Sequence, residues 1–255
     1  MPLRIRGAPT MRTLKLTLSY DGTRFVGWQR QAAGLSIQGL LEDALERFEG
    51  APVSVQGAGR TDAGVHALGQ VASVRLACAH DTATLTRALN ALLPDDIRIL
   101  AVEERDEHFH ARFSARSKTY CYQIRNAPIA SPFERAYVWH LEEPLVLDAM
   151  QRAAAQLVGT HDFAAFRSAG SDVSSTVRTV TRSAWRDTGG LLTYEISGDG
   201  FLRHMVRAIV GTLVEIGRGW RAPADIGSLL QGGTRAAAGA TAPPQGLFLT
   251  TVDYD

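Results

Sequence analysis

One carboxylate, Asp62, stands between an arginine and a histidine in a glycine-rich run, Gly57-Ala58-Gly59-Arg60-Thr61-Asp62-Ala63-Gly64-Val65-His66-Ala67. A carboxylate of this kind can act as a nucleophile, splitting one hard bond exchange into two easier steps through a covalent intermediate. Glycine beside it permits positive φ and close approach of the backbone to a ligand. The same residues support two other readings. Asp among glycines caps turns through its own side chain, and Asp62 with His66 offers the carboxylate and imidazole that bind divalent metals. Zinc sites assemble three or four ligands, and no other His or Cys lies close in sequence, so a metal would need ligands converging from elsewhere in the fold.

Further chemistry-bearing residues lie in three other segments. Tyr120 follows Phe109-His110-Ala111-Arg112-Phe113-Ser114-Ala115-Arg116-Ser117-Lys118-Thr119. A tyrosine there supplies a face on which an unstacked base could rest and a hydroxyl for its edge, or is a half-buried strand residue with a satisfied hydroxyl. Arg203, His204 and Arg207 sit on a helical pattern whose apolar stripe is Leu202, Met205, Val206, Ile209, Val210 and Leu213. Arg203 and Arg207 lie one turn apart, and form either a solvated face or a phosphate-binding one. An arginine aimed at Asp62 would keep that carboxyl ionised. Near the N-terminus, Tyr20-Asp21-Gly22-Thr23-Arg24-Phe25-Val26-Gly27-Trp28-Gln29-Arg30-Gln31, with Gln38 beyond, mixes aromatic, amide and guanidinium groups suited to RNA, although Trp28 taken by itself reads as core.

The elements that must position these residues fall into two series. In the first, Leu14 to Tyr20 alternates as a strand ending at Asp21-Gly22, and Ile37, Leu40, Leu41, Ala44, Leu45 and Phe48 recur at helical spacing behind Ser36, an N-cap. Val53 to Val55 and Val71 to Leu76 read as strands flanking the Asp62 loop. A helix from Thr82 to Leu93 stops at Pro94, and Ile97 to Val102 closes the series. The second series has a strand at Thr119 to Ile124, a helix at Asp148 to Val158 ended by Gly159, strands at Thr179 to Trp185 and Leu191 to Ser197 joined by Gly189-Gly190, a long helix from about Phe201 to Ile216, and a strand at Leu247 to Tyr254. Arg235 to Ala242 reads as a flexible connector. The expected fold class is α+β: two similar βαββαβ, ferredoxin-like halves with antiparallel sheets and a central active-site cleft. Residues 1–10 form an extension with Met11 an alternative start, 11–108 the first half and 109–255 the second.

With 255 residues and 45% hydrophobic content the chain can bury a sizeable core. Lys and Arg number 27 against 26 Asp and Glu, a net charge of +1, so a nucleic-acid site must be a local patch. Arg4, Arg6, Arg12, Lys15, Arg24 and Arg30, opposed locally only by Asp21, are such a candidate. Cys78 and Cys121 form no C-x-x-C pair, which fits free thiols in a reducing compartment. No apolar run is long enough to span a bilayer and no hydrophobic signal core follows Met1, so the expected location is cytoplasmic.

The string GRTDAGVHA, together with the Tyr20–Gln31 segment, Ala111-Arg112-Phe113-Ser114-Ala115, Gly200 to Arg207 and Ala242-Pro243-Pro244-Gln245-Gly246-Leu247, closely resembles the tRNA pseudouridine synthase A (TruA) family, in the same order from Leu14 onward. The resemblance implies an isomerase that converts uridine to pseudouridine at about tRNA positions 38 to 40, in the anticodon stem-loop, where unstacked bases are accessible. It implies catalytic Asp62, uridine-contacting Tyr120, Arg207 paired with that aspartate, Arg60 handling the displaced nucleotide, and backbone at Leu247 lining the base pocket. Arg24, Trp28, Gln29, Arg203 and His204 would contact RNA. No metal and no nucleotide cofactor are implied, the partner is tRNA through its anticodon arm, and the expected assembly is a homodimer. Two readings from other classes are a non-catalytic RNA-binding module and a metal-dependent RNA hydrolase using Asp62 and His66.

Overall fold

The computed structural model describes residues 11–168, 170 and 173–254. The chain divides into two compact units, one ending at Ala115 and one starting at Arg116. Both mix helices with antiparallel strands, so the fold is α+β. The expected extension at residues 1–10 lies outside the described residues.

In the first unit, β1 (Arg12–Tyr20) is flanked by β3 (His66–Leu76) and β4 (Ile97–Arg105), and β2 (Gln56–Gly57) lies on the far side of β3. All these pairings are antiparallel and run in the order β4-β1-β3-β2. Helices α1 (Ile37–Glu49) and α2 (Thr82–Leu92) contact each other. Ser36 caps α1 by accepting the Gly39 N–H, and Gly50, with φ 74°, supplies the left-handed cap at its other end. Ile37, Leu41, Ala44 and Leu45 are the buried face that the periodicity predicts.

The strand expected at Val53–Val55 does not form; only Gln56 and Gly57 pair with β3. The reason is local. The Val55 N–H donates to Glu42 Oε1 at 3.1 Å and its carbonyl accepts Gln38 Nε2 at 3.0 Å, so side chains of α1 satisfy the groups a ladder would use.

In the second unit β5 (Ser117–Asn126) lies between β10 (Leu247–Asp253) and β9 (Leu191–Gly198), followed by β8 (Val177–Thr188) and β7 (Gly159–Asp162); β6 (Trp139–Leu141) pairs in parallel with β5. Gly189 and Gly190, both at positive φ, make the hairpin turn between β8 and β9, as their sequence indicates. Helix α3 (Leu147–Ala155) packs on α4 (Met205–Gly217), and a short α5 (Asp225–Leu230) follows. No helix of the described residues is long and apolar enough to cross a membrane.

Three expectations need correction here. Helix α3 ends at Ala155, and Gly159 at φ 121° opens β7 instead of ending the helix. Helix α4 starts at Met205, because His204 takes the left-handed conformation, φ 61°, which no α-helix can continue through. The segment from Arg235 to Ala242 is a fastened strap, not a flexible connector. Gly239 N–H donates to the buried Thr212 hydroxyl at 2.9 Å, Ala240 N–H to Glu215 at 2.9 Å and Ala242 N–H to the Arg207 carbonyl at 3.0 Å.

Candidate active site

Asp62 is half-buried and opens a tight turn. Val65 N–H donates to the Asp62 carbonyl at 3.1 Å, and Gly64 has φ 76° while Ala63 does not have positive φ. Those angles define a type II turn, which requires glycine at its third position. The turn delivers the chain into β3 at His66.

The floor of this loop comes from the Tyr20–Gln31 segment. Trp28 N–H donates to the Thr61 carbonyl at 3.0 Å. A Cβ at Gly27 would stand 2.6 Å from that same carbonyl oxygen, and one at Gly22 would stand 2.0 Å from the Val65 carbonyl oxygen, so both close approaches demand glycine. The Trp28 indole lies against Gly57, where a Cβ would come within 2.5 Å, and only 2% of the residue is exposed. A ring so enclosed supports the loop from beneath and offers RNA no face.

Buried polar side chains hold the loop from its other side. The Tyr20 and Thr61 hydroxyls are 2.8 Å apart, and Gln70 Nε2 donates to the Gly59 carbonyl at 2.9 Å and to the Tyr20 hydroxyl at 3.3 Å. Burial pushes the Tyr20 hydroxyl up to about 12, against the smaller lowering effects of its bonds to Thr61 and Gln70, so the phenol stays protonated near neutrality. His66 is buried, and its Nδ1 accepts the Gly22 N–H at 3.0 Å. The Nδ1 nitrogen is thereby turned to the backbone of Gly22. An Asp21 carboxylate oxygen lies 3.2 Å from the same nitrogen. Among the described residues no three His, Cys, Asp or Glu side chains group as metal ligands do.

Arg60 is exposed beside this loop, Arg24 is exposed and ion-paired with Asp96, and Gln29 is half-buried, donating to Gln38 at 2.6 Å. The basic run near the N-terminus is matched in space. Arg12 lies 3.8 Å from Glu104, Lys15 2.9 Å from Glu103, and Arg30 2.8 Å and 2.6 Å from Glu42 and Asp43. The expectation that Asp21 alone opposes these charges is therefore corrected; Arg4 and Arg6 lie outside the described residues.

In the second unit Tyr120 is 7% exposed on β5, between Ile196 and Leu249 across the sheet, and its ring meets Phe201 edge-on at 5.1 Å. Arg207 is half-buried and donates through Nε to the Ala242 carbonyl at 2.8 Å. The Tyr122 hydroxyl donates to the next carbonyl, Pro243, at 2.8 Å, and burial raises its pKa far above the ordinary tyrosine value although the Arg207 charge opposes this. Gly246 lies against the Tyr122 ring, where a Cβ would come within 2.7 Å, and buried Leu247 begins β10 opposite Tyr122. The segment leading into β10 is thus clamped carbonyl by carbonyl. Exposed Arg203 points a nitrogen at the Gly170 carbonyl, 3.5 Å away. His204 is the one non-glycine residue at positive φ among the described residues, and its Nδ1 is 2.8 Å from the Ser168 hydroxyl. A left-handed conformation costs an L-residue about 1–2 kcal/mol, and such local strain concentrates at functional positions.

Sequence reasoning did not single out Gln70, Tyr122, Phe201 or Ser168 as parts of a site, and named Tyr20 and Thr61 only as members of longer strings. A signal existed for Gln70: the two-residue strand period places its amide in the row of Ala72, Val74 and Leu76, an inward row of otherwise apolar residues.

The chain is thus a two-unit α+β protein with Asp62 on a glycine-walled turn of the first unit, and with Tyr120 on β5 and Arg207 on α4 of the second. A family profile described as tRNA pseudouridine synthase matches residues 17–114 and 153–255. The chain is 45% identical over 244 residues to a tRNA pseudouridine synthase A of Pelobacter propionicus, covering 96% of this chain and all of the relative. It is 46% identical over 245 residues to the Myxococcus xanthus protein of the same name, at 96% and 92% coverage, and 41% identical over 244 residues to that of Thermoanaerobacter sp., at 96% and 100% coverage. The chain belongs to the tRNA pseudouridine synthase family.

Proposed function

We propose that this chain isomerises uridine to pseudouridine in the anticodon stem-loop of tRNA, at about positions 38 to 40, where bases can be splayed out for recognition, with Asp62 as the catalytic carboxylate. The observation that carries this reading is the type II turn that lifts Asp62 from a floor of Gly22, Gly27 and Trp28. The reaction breaks the bond from uracil N1 to C1′, turns the base and forms a bond from C5 to C1′; C5 loses its proton and N1 gains one. Electrons and atoms balance within the substrate, so the step calls for neither a redox cofactor nor a nucleotide. Asp62 serves as nucleophile, a role for which a carboxylate is chemically competent. Tyr120, Arg207 and the backbone at Leu247 are assigned to the uridine, Arg60 to the displaced nucleotide, and Arg24, Gln29, Arg203 and His204 to the tRNA. Trp28 is reassigned to support of the loop.

In both units the strands of a βαββαβ series lie in the order fourth, first, third, second (β4-β1-β3-β2, and β10-β5-β9-β8), which supports reading them as ferredoxin-like halves. The protein is read as a cytoplasmic homodimer.

The test is tritium release from tRNA labelled at uridine C5, comparing the wild type with Asp62→Asn. Asparagine keeps size and hydrogen bonding but supplies no nucleophilic carboxylate. Release is expected to fall more than about a hundredfold, a barrier rise above roughly 2.7 kcal/mol, while tRNA affinity stays within about tenfold, or about 1.4 kcal/mol. A folded variant that keeps more than that rate removes Asp62 from the mechanism.

A further inference from the structure

We infer that Tyr20, Thr61 and Gln70 are positioning residues, a buried hydrogen-bonded buttress that sets the rotational placement of Asp62; the inference rests on the reading of Asp62 as the catalytic carboxylate. All three are inaccessible, at 4%, 7% and 0% exposure. Their bonds converge on Gly59 and Thr61, which bracket Arg60, and Thr61 immediately precedes Asp62. The Gln70 amide nitrogen can only donate, so the Tyr20 oxygen accepts from it, and the Tyr20 and Thr61 hydroxyls share the next hydrogen bond. The bonds therefore run without a break from β3 through β1 to the loop. Trp28 N–H closes the arrangement on the Thr61 carbonyl.

Core packing does not require these side chains. Buried polar groups cost free energy unless paired, and apolar residues of similar shape would fill the same rows of β1 and β3. What the polar choice adds is direction, at a place where three glycines in eight residues, Gly57, Gly59 and Gly64, leave the backbone otherwise free to wander. The raised pKa of Tyr20 keeps the phenolic proton in place through the neutral range. A reacting group displaced by about an ångström can lose about a hundredfold in rate, so a buttress acting only on placement should show in turnover and not in binding.

The experiment measures kcat, KM, tRNA affinity and melting temperature for Tyr20→Phe, Thr61→Val, Gln70→Met and the rescue variant Thr61→Ser, beside Asp62→Asn. Each of the first three is expected to lose about ten- to a hundredfold in kcat while tRNA affinity stays within about twofold, or about 0.4 kcal/mol. Thr61→Ser, which keeps the hydroxyl, should recover most of the lost turnover. The double variant Tyr20→Phe/Thr61→Val should turn over no more slowly than the worse single one, because each alone already breaks the shared bond. Wild-type kcat in folded Thr61→Val and Tyr20→Phe overturns the inference, as does a loss that falls on affinity or melting temperature and is not restored by serine. If Gln70→Met unfolds, the near-isosteric Thr61 pair decides. An active Asp62→Asn enzyme would sink the assignment of Asp62 itself, whereas an inactive one beside fully active buttress variants would sink only the buttress.

Discussion

At Tyr120 packing and the proposed uridine contact would draw on the same ring. The ring is 7% exposed and edge-on to Phe201, a contact of about 0.5–1.5 kcal/mol beyond its buried area. Tyr120→Ala is therefore a poor probe of catalysis alone, since truncating a buried aromatic costs about 3–5 kcal/mol of stability as well as any stacking on the base. Tyr120→Phe keeps the ring and every apolar neighbour. If stacking is its contribution, Tyr120→Phe is expected to melt near the wild-type temperature and retain most tritium release, with Tyr120→Ala weaker in base binding by a further 1–3 kcal/mol or so. Equal, near-complete loss of release in a folded Tyr120→Phe enzyme would assign the work to the hydroxyl. Burial also puts Trp28 in the core, the reading that the residue gave by itself, although its surroundings in the chain hid what covers it. Its neighbours in sequence are polar, and nothing in that string tells that Gly57, twenty-nine positions on, would close over the indole.

Elements with one dominant period were legible in the sequence. Helix α1 appears with its Ser36 cap and its apolar face because both signals are local, and β1, β5 and β9 appear because alternation is local too. What was not legible is backbone satisfied by side chains far along the chain: Val55 by Gln38 and Glu42, and the Arg235–Ala242 strap by Thr212 and Glu215. An Ala- and Gly-rich composition resembles a linker whether or not it is fastened. The strap supplies its own test. A Cβ on Gly211, in the middle of α4, would stand 1.7 Å from the Ala240 carbonyl oxygen. Gly211→Ala gains up to about 1 kcal/mol of helix propensity, yet overpacking of about 1–3 kcal/mol should win, because the opposing atom is backbone and cannot rotate away. A lowered urea midpoint is expected, together with weaker turnover as the segment leading to Leu247 shifts. Gly227→Ala on α5, whose Cβ would meet only Gln156 Oε1 at 3.4 Å, should leave the midpoint unchanged or raise it. A Gly211→Ala midpoint at or above that of the wild type would show that the strap yields easily.

Over the whole molecule, a count of charge along the sequence misleads about charge in space. The N-terminal run looks basic in sequence, yet Glu103, Glu104, Asp96, Glu42 and Asp43 reach its cations from up to ninety-two residues away (Arg12 to Glu104), and such pairing is invisible to any window of composition. Protonation of the interior gives a more global expectation. Tyr20, Tyr122 and Tyr194 are all buried and hydrogen-bonded, Tyr194 with its hydroxyl 2.7 Å from that of Ser183. Desolvation raises all three pKa values, that of Tyr20 to about 12. An unfolded tyrosine titrates near 10, so below that pH both states are protonated and the stabilisation is fully present. Between about pH 10 and 12 the unfolded chain loses these protons while the native state keeps them, and stability falls by up to about 1.4 kcal/mol per pH unit for each residue; the Tyr20 share, about 3 kcal/mol in total, is exhausted as the pH passes its folded value. Urea midpoints should therefore drop steeply above about pH 10, and Tyr20→Phe should show the shallower decline. Phenolate absorbance should rise in part before unfolding and in part only with it. A single absorbance step near pH 10 from all six tyrosines, with native circular dichroism preserved, would contradict the burial of these three rings.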